Sequence, residues 1–559
     1  MRQSSNVRSS CSSFDAASSA RPLPFGCVVV RVRTFVVWLV VSAMVSTAAT
    51  VSAQRESRSS AHDVPSRVPD QPTYHEHIGP ILYANCTECH RPGEIAPFSL
   101  LTYEDARKRA KTIERVTRSR YMPPWLPEEG WGEFHGERRL SDHEIETISR
   151  WVAAGLPEGP RAAARGLPHF TQGWQLGEPD LVVEMPVGYS VPAAGPDIYR
   201  NFVLPLDLAE DVWVQAIEVR PSARAVLHHT LIFEDATGDA ARLEKQDRSG
   251  QPGFRRMDFR GSSQIGAWAV GGSARRLPGG LARPLRRGAS IVLSSHFHPS
   301  GKQETEKTRI GLFFAKEAPE RTLLDFQVPP RYGALWGIDI PAGVADYVVT
   351  DRFVVPCDIE LVGAWGHAHY LCTSMRAIAK LPDGTTTKLF SIREWDFDWQ
   401  NAYFYRNAVK LPKGSIIEST LHYDNSAGNP SNPSDPPRRV RWGLQSTDEM
   451  GSLIFSCVAA KEGDIAVFRE GEREQARISV AGAARRRVVN RYDSNHDGIV
   501  TRDEVPARLW AMVARFDVNA DGTLQDDELD AIVRATQRMR PRGGRARGDG
   551  TGDGNGRRR

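Results

Sequence analysis

Ser290-Ile-Val-Leu-Ser-Ser-His-Phe-His298 is a run of apolar and small residues that ends in two histidines. Comparable runs, bounded by Gly, Pro, Asp or Asn, occur at Leu181–Met185, Tyr347–Thr350 and Ser452–Phe455. Such short runs are typical of strands. Because no helical pattern separates them, the middle of the chain is expected to form sandwiches or barrels and not a parallel α/β sheet.

Composition places the chain among multidomain globular proteins. It has 559 residues, of which 40% are hydrophobic and 25% charged, with a net charge of +4. At roughly 100–200 residues per domain, this length predicts about three to five units. The small net charge gives no indication of a nucleic-acid partner.

The first 53 residues are expected to be a leader with a signal peptide. Arg31 and Arg33 precede the apolar run Phe35–Val45, and Val51-Ser52-Ala53 forms a small-x-small cleavage pattern before Gln54. The apolar run is short of the roughly twenty residues that cross a bilayer, so a retained anchor is the weaker alternative and no stable membrane span is expected. The protein is therefore predicted to be periplasmic or secreted, with cleavage near Ala53 and a linker over residues 54–71.

Cys86-Thr87-Glu88-Cys89-His90 is a C-x-x-C-H motif. In an exported chain it predicts a covalently bound c-type haem, with thioethers at both cysteines and His90 as the proximal iron ligand. A disulfide or an incomplete zinc site is the alternative. Residues 72–160, including the helix start at Leu140-Ser-Asp-His-Glu-Ile and Trp151, resemble a single-haem cytochrome c domain.

Met122 is the expected distal haem ligand. It is the only methionine between His90 and Arg165, and the prolines that follow it exclude a local helix. His135 and His143 are the competing candidates. His75 and His77 are expected to be surface residues.

Six histidines of the middle region fall into three close sets: His228-His229, His296-Phe-His298 and His367-Ala-His369. In the last two sets the histidines are two residues apart, so on a strand both imidazoles face the same side. Adjacent His228 and His229 can share an ion only if their strand twists, bulges or ends there. Met450 follows later, and a thioether beside imidazoles favours copper over zinc.

The order of these residues resembles the copper type II, ascorbate-dependent monooxygenases, the family of peptidylglycine α-hydroxylating monooxygenase and dopamine β-monooxygenase. The resemblance covers roughly residues 170–465. It rests on four segments: Leu227-His228-His229-Thr230-Leu231-Ile232-Phe233, Val292-Leu-Ser-Ser-His296, His367-Ala368-His369 and Asp448-Glu449-Met450.

The resemblance implies two tandem all-β, jelly-roll-like sandwiches, over residues 165–345 and 346–470, each with one copper ion facing a solvent-filled cleft. His228, His229 and His296 would hold a copper that stores and passes on an electron. His367, His369 and Met450 would hold the catalytic copper that binds dioxygen. His298 has no place in the pattern and is either a substitute ligand or a group behind the ligands.

The sequence departs from the peptide-processing members where those bind the peptide carboxylate. The two corresponding positions are Trp365 and Ile454. A glycine-extended peptide is therefore not the expected substrate, and Trp365 favours an apolar or aromatic one. The family's disulfides cannot be transferred, since only Cys357, Cys372 and Cys457 are available, and these permit one disulfide in any of three pairings.

The last helical part, residues 485–535, contains two EF-hand loops and predicts calcium binding. The candidate ligands are Asp493, Asn495, Asp497, Ile499, Thr501 and Glu504 in the first loop, and Asp517, Asn519, Asp521, Thr523, Gln525 and Glu528 in the second. The basic tail, residues 536–559, is expected to be disordered.

Together these expectations describe an exported monooxygenase with two copper ions, one c-type haem and calcium. It would hydroxylate a C–H bond of a small organic substrate with dioxygen. Its electrons would come from an ascorbate-like reductant or a redox protein, with relay from its own haem to the histidine-only copper as one route. The alternatives are a non-catalytic electron-transfer or copper-binding protein on the same scaffold, or a calcium-dependent adhesion protein if His367 and His369 bind no metal.

Overall fold

The computed structural model describes residues 68–539, apart from residues 95, 172, 256–261, 271, 273 and 494–498. All the described residues belong to one compact unit, Ser66–Arg559. The predicted leader with its cleavage site at Ala53, most of the 54–71 linker and residues 540–559 of the tail lie outside the described residues.

The N-terminal part is helical. It consists of a π-helical turn at Tyr74–Ile78, α1 at Gly79–Asn85, α2 at Tyr103–Arg118, α3 at Asp142–Ala153 and a 3-10 turn at Arg161–Ala163. The expected helix start is confirmed, because Ser141 and Glu144 form a reciprocal capping box at the beginning of α3. Trp151 is fully buried in the apolar cluster that these helices share.

The first group of strands forms two four-stranded antiparallel sheets. The elements are β1 Leu181–Glu184, β2 Tyr189–Val191, β3 Ile198–Pro205, β4 Val212–Arg220, β5 Leu227–Asp235, α4 Asp239–Gln246, β6 Ser262–Ala269, a 3-10 turn at Pro278–Gly280, β7 Arg283–Leu285, β8 Ser290–Phe297, β9 Glu304–Glu306 and β10 Arg309–Phe314. Their orders are β1-β10-β4-β7 and β3-β8-β5-β6, while β2 pairs with β9. One apolar cluster draws on both sheets, and we refer to them as the first sheet pair.

The second group repeats this plan and is called the second sheet pair. The elements are β11 Leu323–Val328, a 3-10 turn at Pro330–Gly333, β12 Asp339–Ile340, β13 Tyr347–Val354, β14 Ile359–Ala368, β15 Cys372–Lys380, β16 Thr386–Ile392, β17 Tyr403–Leu411, β18 Ile416–Tyr423, β19 Val440–Arg441 and β20 Gly451–Ala459. Its sheets have the orders β11-β20-β14-β17 and β13-β18-β15-β16, with β12 on β19. Because β11 pairs with β20, this group begins at Leu323, ahead of the expected boundary at 345/346.

The C-terminal part is helical and lies against the second sheet pair. A 3-10 turn at Glu462–Asp464 precedes α5 Ile465–Tyr492, followed by β21 Val500–Thr501, α6 Ala507–Val513, a 3-10 turn at Ala514–Phe516, β22 Thr523–Leu524 and α7 Asp526–Met539. Residues 471–487 lie within α5. Phe468 enters the core of the sheets, and Ser479 donates to the Asp351 carboxylate at 2.9 Å.

The chain is thus β-rich and multidomain, as the sequence predicted, with helices at both ends. Among the described residues, we find no helix with the length and apolar character needed to cross a membrane.

Candidate metal centre

The first histidine set lies on two neighbouring strands of the first sheet pair. His229 on β5 is directly opposite His296 on β8, and the register between these strands shifts between Leu227 and His229. This irregularity supplies the bulge that two adjacent histidines need to face one point. The rings of His228 and His229 each lie 4.9 Å from the His296 ring. One ring nitrogen from each of the three lies within 4.8 Å of the other two.

Two carboxylates contact ring nitrogens of this set. Asp197 Oδ2 lies 3.0 Å from His296 Nε2, and Asp398 Oδ1 lies 3.4 Å from His228 Nε2. Burial raises the pKa of Asp197, but hydrogen bonds from His296 and Ser446 outweigh it and bring the pKa well below the usual value. An ionised carboxylate beside a histidine orients its ring and increases its basicity as a ligand.

His298 follows the end of β8 and lies outside the three-histidine group. Its side chain is 62% exposed, and its Nδ1 lies 2.8 Å from Oδ1 of Asp197. It therefore shares a carboxylate with His296, which agrees with a role behind the ligands rather than as a ligand.

The second set lies at the end of β14 and the start of β20. His367 Nδ1 is 2.6 Å from Gln400 Oε1, and His369 Nδ1 is 3.2 Å from the Asp448 carbonyl. Both oxygens accept, so each Nδ1 carries its proton and each Nε2 is left as a ligand atom. His367 Nε2 lies 3.0 Å from Met450 Sδ.

Glu449 fixes the backbone of this second set. Its side chain is fully buried. Oε1 accepts the N–H of His369 at 2.6 Å and that of Met450 at 2.8 Å, and Oε2 accepts the N–H of Leu371. Burial raises the pKa of Glu449 to about 8, while these N–H groups act in the opposite direction. One carboxyl group thus holds two candidate ligands in register.

The two sets meet in one cluster. The rings of His229 and His367 lie 5.9 Å apart, and Phe397 stacks on His228 at 4.6 Å. The loop between β16 and β17 provides Phe397, Asp398 and Gln400, so it contacts both sets. This differs from the separated sites on a solvent-filled cleft that the family resemblance implies.

Burial keeps His229, His296, His367 and His369 neutral by lowering their pKa values. Burial lowers the pKa of His296 to about 4 and that of His367 to about 4. It also brings the pKa values of His229 and His369 well below the ordinary value, and neighbouring imidazoles add to the effect. Neutral imidazole is the form that binds a metal ion.

The predicted haem residues lie at the C-terminal end of α1. Cys86 and Cys89 carry free thiols, and burial raises the pKa of Cys86 to about 12. His90 Nδ1 donates to the Phe98 carbonyl at 3.2 Å, which leaves Nε2 for iron. These residues fit a covalent haem.

Met122 and His143 remain the candidates for the distal haem ligand. Met122 is half-buried in the loop after α2. His143 Nε2 is buried without a hydrogen-bond partner. His135 is exposed, and its backbone bonds to Phe404. His75 contacts Glu158 at 3.2 Å and His77 Nδ1 accepts the Thr73 N–H, so both have local partners.

In the second predicted calcium loop, side-chain oxygens accept hydrogen bonds from the loop's own backbone N–H groups. Asp517 and Asn519 accept the Asp521 N–H, and Asp521 accepts the Thr523 N–H. The two Glu528 oxygens accept the N–H groups of Val518 and Gln525. Oxygen donors from these positions suit calcium. In the first loop, Thr501 N–H donates to Glu504 at 2.9 Å. Asp493 caps α5, Ile499 precedes β21, and Asn495 and Asp497 lie outside the described residues.

Cys357, Cys372 and Cys457 are buried free thiols. Trp365 and Ile454 are direct cross-strand neighbours on β14 and β20. Sequence reasoning missed Asp197, Phe397, Asp398 and Gln400. The last three lie in Trp395-Asp-Phe-Asp-Trp-Gln400, whose alternation of acidic and aromatic residues beside a turn is the signal that could have indicated them.

No protein-family model matches this chain, and no curated protein matches it. Among solved structures, the chain is similar to the infectious bursal disease virus VP2 subviral particle, with TM-score 0.16, 8% identity and coverage of 52% of this chain and 74% of that one. It is also similar to PNGF-II, with TM-score 0.22, 9% identity and coverage of 50% and 65%. A third is the major capsid protein P2 from bacteriophage PM2, with TM-score 0.22, 6% identity and coverage of 50% and 97%. At such TM-scores none of these likenesses bears on fold or function.

Proposed function

We propose that this protein is a copper-dependent monooxygenase that hydroxylates a C–H bond of an organic substrate. The observation that carries the proposal is the cluster of five histidines and Met450, contributed by both sheet pairs. Imidazole and thioether donors together favour copper over the other divalent metals.

The donor set divides into two copper sites. His228, His229 and His296 would hold one ion, and His367, His369 and Met450 the other. Bound copper would supply one-electron chemistry toward dioxygen. In the overall reaction, two electrons and two protons convert dioxygen and the C–H bond into an alcohol and water. The chain's own contribution is to keep the imidazoles neutral, orient them through Asp197 and Gln400, and fix the second set through Glu449.

The resemblance to the copper type II, ascorbate-dependent monooxygenases supports this proposal through residue order alone. It assigns two tandem jelly-roll-like sandwiches to the two sheet pairs. The C-x-x-C-H motif supports a c-type cytochrome domain over residues 72–160 with Cys86, Cys89, His90 and Met122 at the haem. The two loops support an EF-hand pair over 485–535 that binds calcium as a structural clip.

The expected substrate is a small apolar or aromatic molecule. Trp365 is half-buried on β14, two residues before His367 on the same face, and its partner Ile454 is buried. Neither side chain is charged, so these two positions do not supply an ion pair for a peptide carboxylate. Electrons would come from an ascorbate-like reductant or a redox protein, with the chain's own haem as relay. The site would work in the periplasm or outside the cell.

One observation favours the second candidate, a non-catalytic electron-transfer or copper-binding protein. The His229 and His367 rings lie only 5.9 Å apart, and closely spaced ions suit copper storage or electron transfer as well as oxygen chemistry. Substrate turnover separates the two functions.

The test uses the full chain with haem attached, copper loaded and ascorbate as reductant. The protein is incubated with isotopically labelled dioxygen and a panel of alkylbenzenes and linear alkanols. A product that carries one labelled oxygen in the wild type, and is lost in Met450→Ala and His367→Ala, supports the monooxygenase. If dioxygen uptake is independent of every compound and no labelled product forms, the electron-transfer function is preferred.

A further inference from the structure

The helix α5, Ile465–Tyr492, belongs to two apolar cores. Near its start, Phe468 is buried in the core of the second sheet pair. In its last two turns, Val488, Val489 and Tyr492 pack against the apolar cluster of the predicted EF-hand pair. An unbroken helix keeps a fixed spacing between its residues, so α5 connects the predicted calcium-binding part to the sheets that carry the second set of candidate ligands.

Arg486, six residues before the end of α5, attaches the helix to residues 329–338, which join β11 to β12 and are called the connecting segment. Its Nη2 and Nε donate to the Trp336 carbonyl at 2.9 and 3.2 Å, and its guanidinium carbon lies 3.9 Å from the centre of the Trp336 ring. Trp336 is itself buried, and its Nε1 donates to the Thr350 carbonyl on β13 at 2.8 Å. A guanidinium over a tryptophan ring is attracted to it, so Arg486 and β13 together fix Trp336.

The connecting segment also contacts the second set. The Tyr332 ring lies 5.1 Å from the His367 ring, at an angle of 73°. A Cβ on Gly333, which has φ +79°, would lie 3.2 Å from the carbonyl oxygen of Gly451, the residue after Met450. The segment therefore lies against one candidate copper ligand and beside the chain neighbour of another.

Two residues of the connecting segment have a strained backbone. Arg331 and Tyr332 each have φ +53°, in the left-handed region that residues other than glycine adopt only at a cost in free energy. Gln327 Oε1 accepts the Tyr332 N–H at 3.0 Å, and Trp442 Nε1 donates to the Tyr332 carbonyl at 2.9 Å. Strain of this kind persists only where the surrounding contacts maintain it. If the anchor at Arg486 loosens, the segment can relax and move the Tyr332 ring away from the second set.

The second predicted calcium loop is attached to the C-terminal end of α5 through their shared apolar cluster. Asp517, Asp521 and Glu528 place three carboxylates in this loop, and like charges that share one site repel each other unless a cation binds. Leu529, the residue after Glu528, is buried in the cluster against which α5 ends. Calcium held by Glu528 would therefore fix Leu529 and the end of α5, because metal binding and local folding are coupled.

We propose that Arg486 is a positioning residue for His367, and that the second predicted calcium loop, when it binds calcium, holds α5 in place and so strengthens copper binding at the second set. The proposal rests on the copper and calcium parts of the proposed function. The contacts run from the loop through the end of α5 to Arg486. They continue from Trp336 through Tyr332 to His367. The first set lies on β5 and β8, outside this series of contacts, so calcium should leave its copper affinity unchanged.

The test compares the copper affinity of each set in the full chain, with haem attached, in the presence and absence of millimolar calcium. Copper(I) is titrated against the competing ligand bicinchoninate, in buffers freed of calcium by a chelating resin. The second set is measured in His228→Ala and the first set in Met450→Ala, so that one copper site remains in each. Calcium should raise the affinity of the second set about fivefold or more, which is the lower range of couplings between two sites, and leave the first set unchanged.

Variants of α5 show whether Arg486 transmits the effect. Arg486→Met keeps a side chain of similar length without its charge or its donors, and it should abolish the calcium effect on the second set. Arg486→Lys keeps a cation beside Trp336 and should restore part of the effect. Arg477→Met is the matched control, because Arg477 is exposed on the same helix and pairs with Glu474 at 2.8 Å. Its loss should leave the calcium effect intact.

A second variant guards against misfolding of Arg486→Met. Tyr332→Leu leaves α5 unchanged but removes the ring from His367, so it should weaken copper binding at the second set and remove the calcium effect. Tyr121→Leu, at an exposed position, should do neither. A calcium effect that is absent from the second set, equal at both sets or retained in Arg486→Met would overturn the proposal. If calorimetry shows no calcium binding, or if the second set binds no copper, the proposed function fails as well.

Discussion

Glu449 shows how one side chain can define a metal site without touching the metal. It is fully buried, and its two oxygens accept backbone N–H groups from both sides of the second ligand set. Asp197 contacts the first set through His296, and it also contacts His298 outside that set. In both cases a carboxylate determines where the imidazoles or the thioether point.

Replacing Glu449 by glutamine should disturb this arrangement. The amide NH2 would face backbone donors, and unsatisfied buried groups cost about 1–3 kcal/mol. We expect a lower free energy of unfolding and loss of copper from the Met450 site, measured by chemical denaturation and elemental analysis. Glu394→Gln at an exposed position is the control. Copper retention equal to that of the control would argue against the role of Glu449.

The buried histidines predict acid sensitivity of the copper-free protein. Their pKa values in the fold, about 4 for His296 and His367, lie below the ordinary 6.5. The unfolded chain therefore binds more protons between pH 6.5 and 4, so stability is lost as pH falls through that window. Across this pH window, each such histidine lowers the free energy of unfolding by a total of the order of 3 kcal/mol.

This is measured by denaturation at pH 7 and pH 5. His367→Asn should flatten the pH dependence, and His169→Asn, at an exposed histidine, should leave it unchanged. The raised pKa of Glu449 has the opposite effect, because it increases stability as pH falls. The pH dependence is therefore compared between variants. A wild-type slope in His367→Asn would contradict the assignment.

Among the elements, the loop between β16 and β17 has the largest influence on the metal centre. It stacks Phe397 on His228 and connects Asp398 to the first ligand set and Gln400 to the second. The strands that carry the histidines could be predicted from sequence, because the spacing of H-x-H matches the period of a strand. This loop could not, because it has no period and the partner of Phe397 and Asp398, His228, lies more than 150 residues away in the first sheet pair.

Asp398→Asn tests the loop's contribution. A carboxylate behind a metal-binding histidine typically changes metal affinity by roughly 10–100-fold. We expect a loss of about tenfold at the His228 site, with the Met450 site unaffected, measured by competitive copper titration. Asp383→Asn, in an exposed turn, is the matched control. Equal copper affinities in the two variants would show that Asp398 does not contribute to metal binding.

The helix α5 is the second element whose role could not be predicted from the sequence. It begins at Ile465, within the second predicted sandwich over residues 346–470, and its Phe468 is completely buried with the second sheet pair. The sequence pattern did not reveal this, because the residues that follow Phe468, Arg469-Glu-Gly-Glu-Arg473, are charged apart from Gly471.

Phe468→Ala should therefore destabilise the protein by about 3–5 kcal/mol, the usual cost of removing a buried phenylalanine. Val467→Ala changes a neighbouring residue that is 46% exposed and should have little effect. Denaturant unfolding compares the two. Equal stabilities would mean that α5 does not belong to the core of the second sheet pair.

Over the whole molecule, three parts predicted separately from the sequence converge on one region. The C-x-x-C-H motif and the individual histidine pairs were recognisable because each is local in sequence. Their juxtaposition was not, since it depends on contacts such as Glu94 with Arg224 and on the burial of Phe134 among residues of the second sheet pair. The closeness of the two histidine sets likewise follows from how the two sheet pairs meet.

The copper content of the full chain, expressed with haem attachment and analysed together with iron, tests whether the two histidine sets bind copper. We expect two copper ions and one iron per chain, with about one copper lost in His228→Ala and one in Met450→Ala. A wild-type protein that carries haem but less than one copper per chain would contradict this expectation.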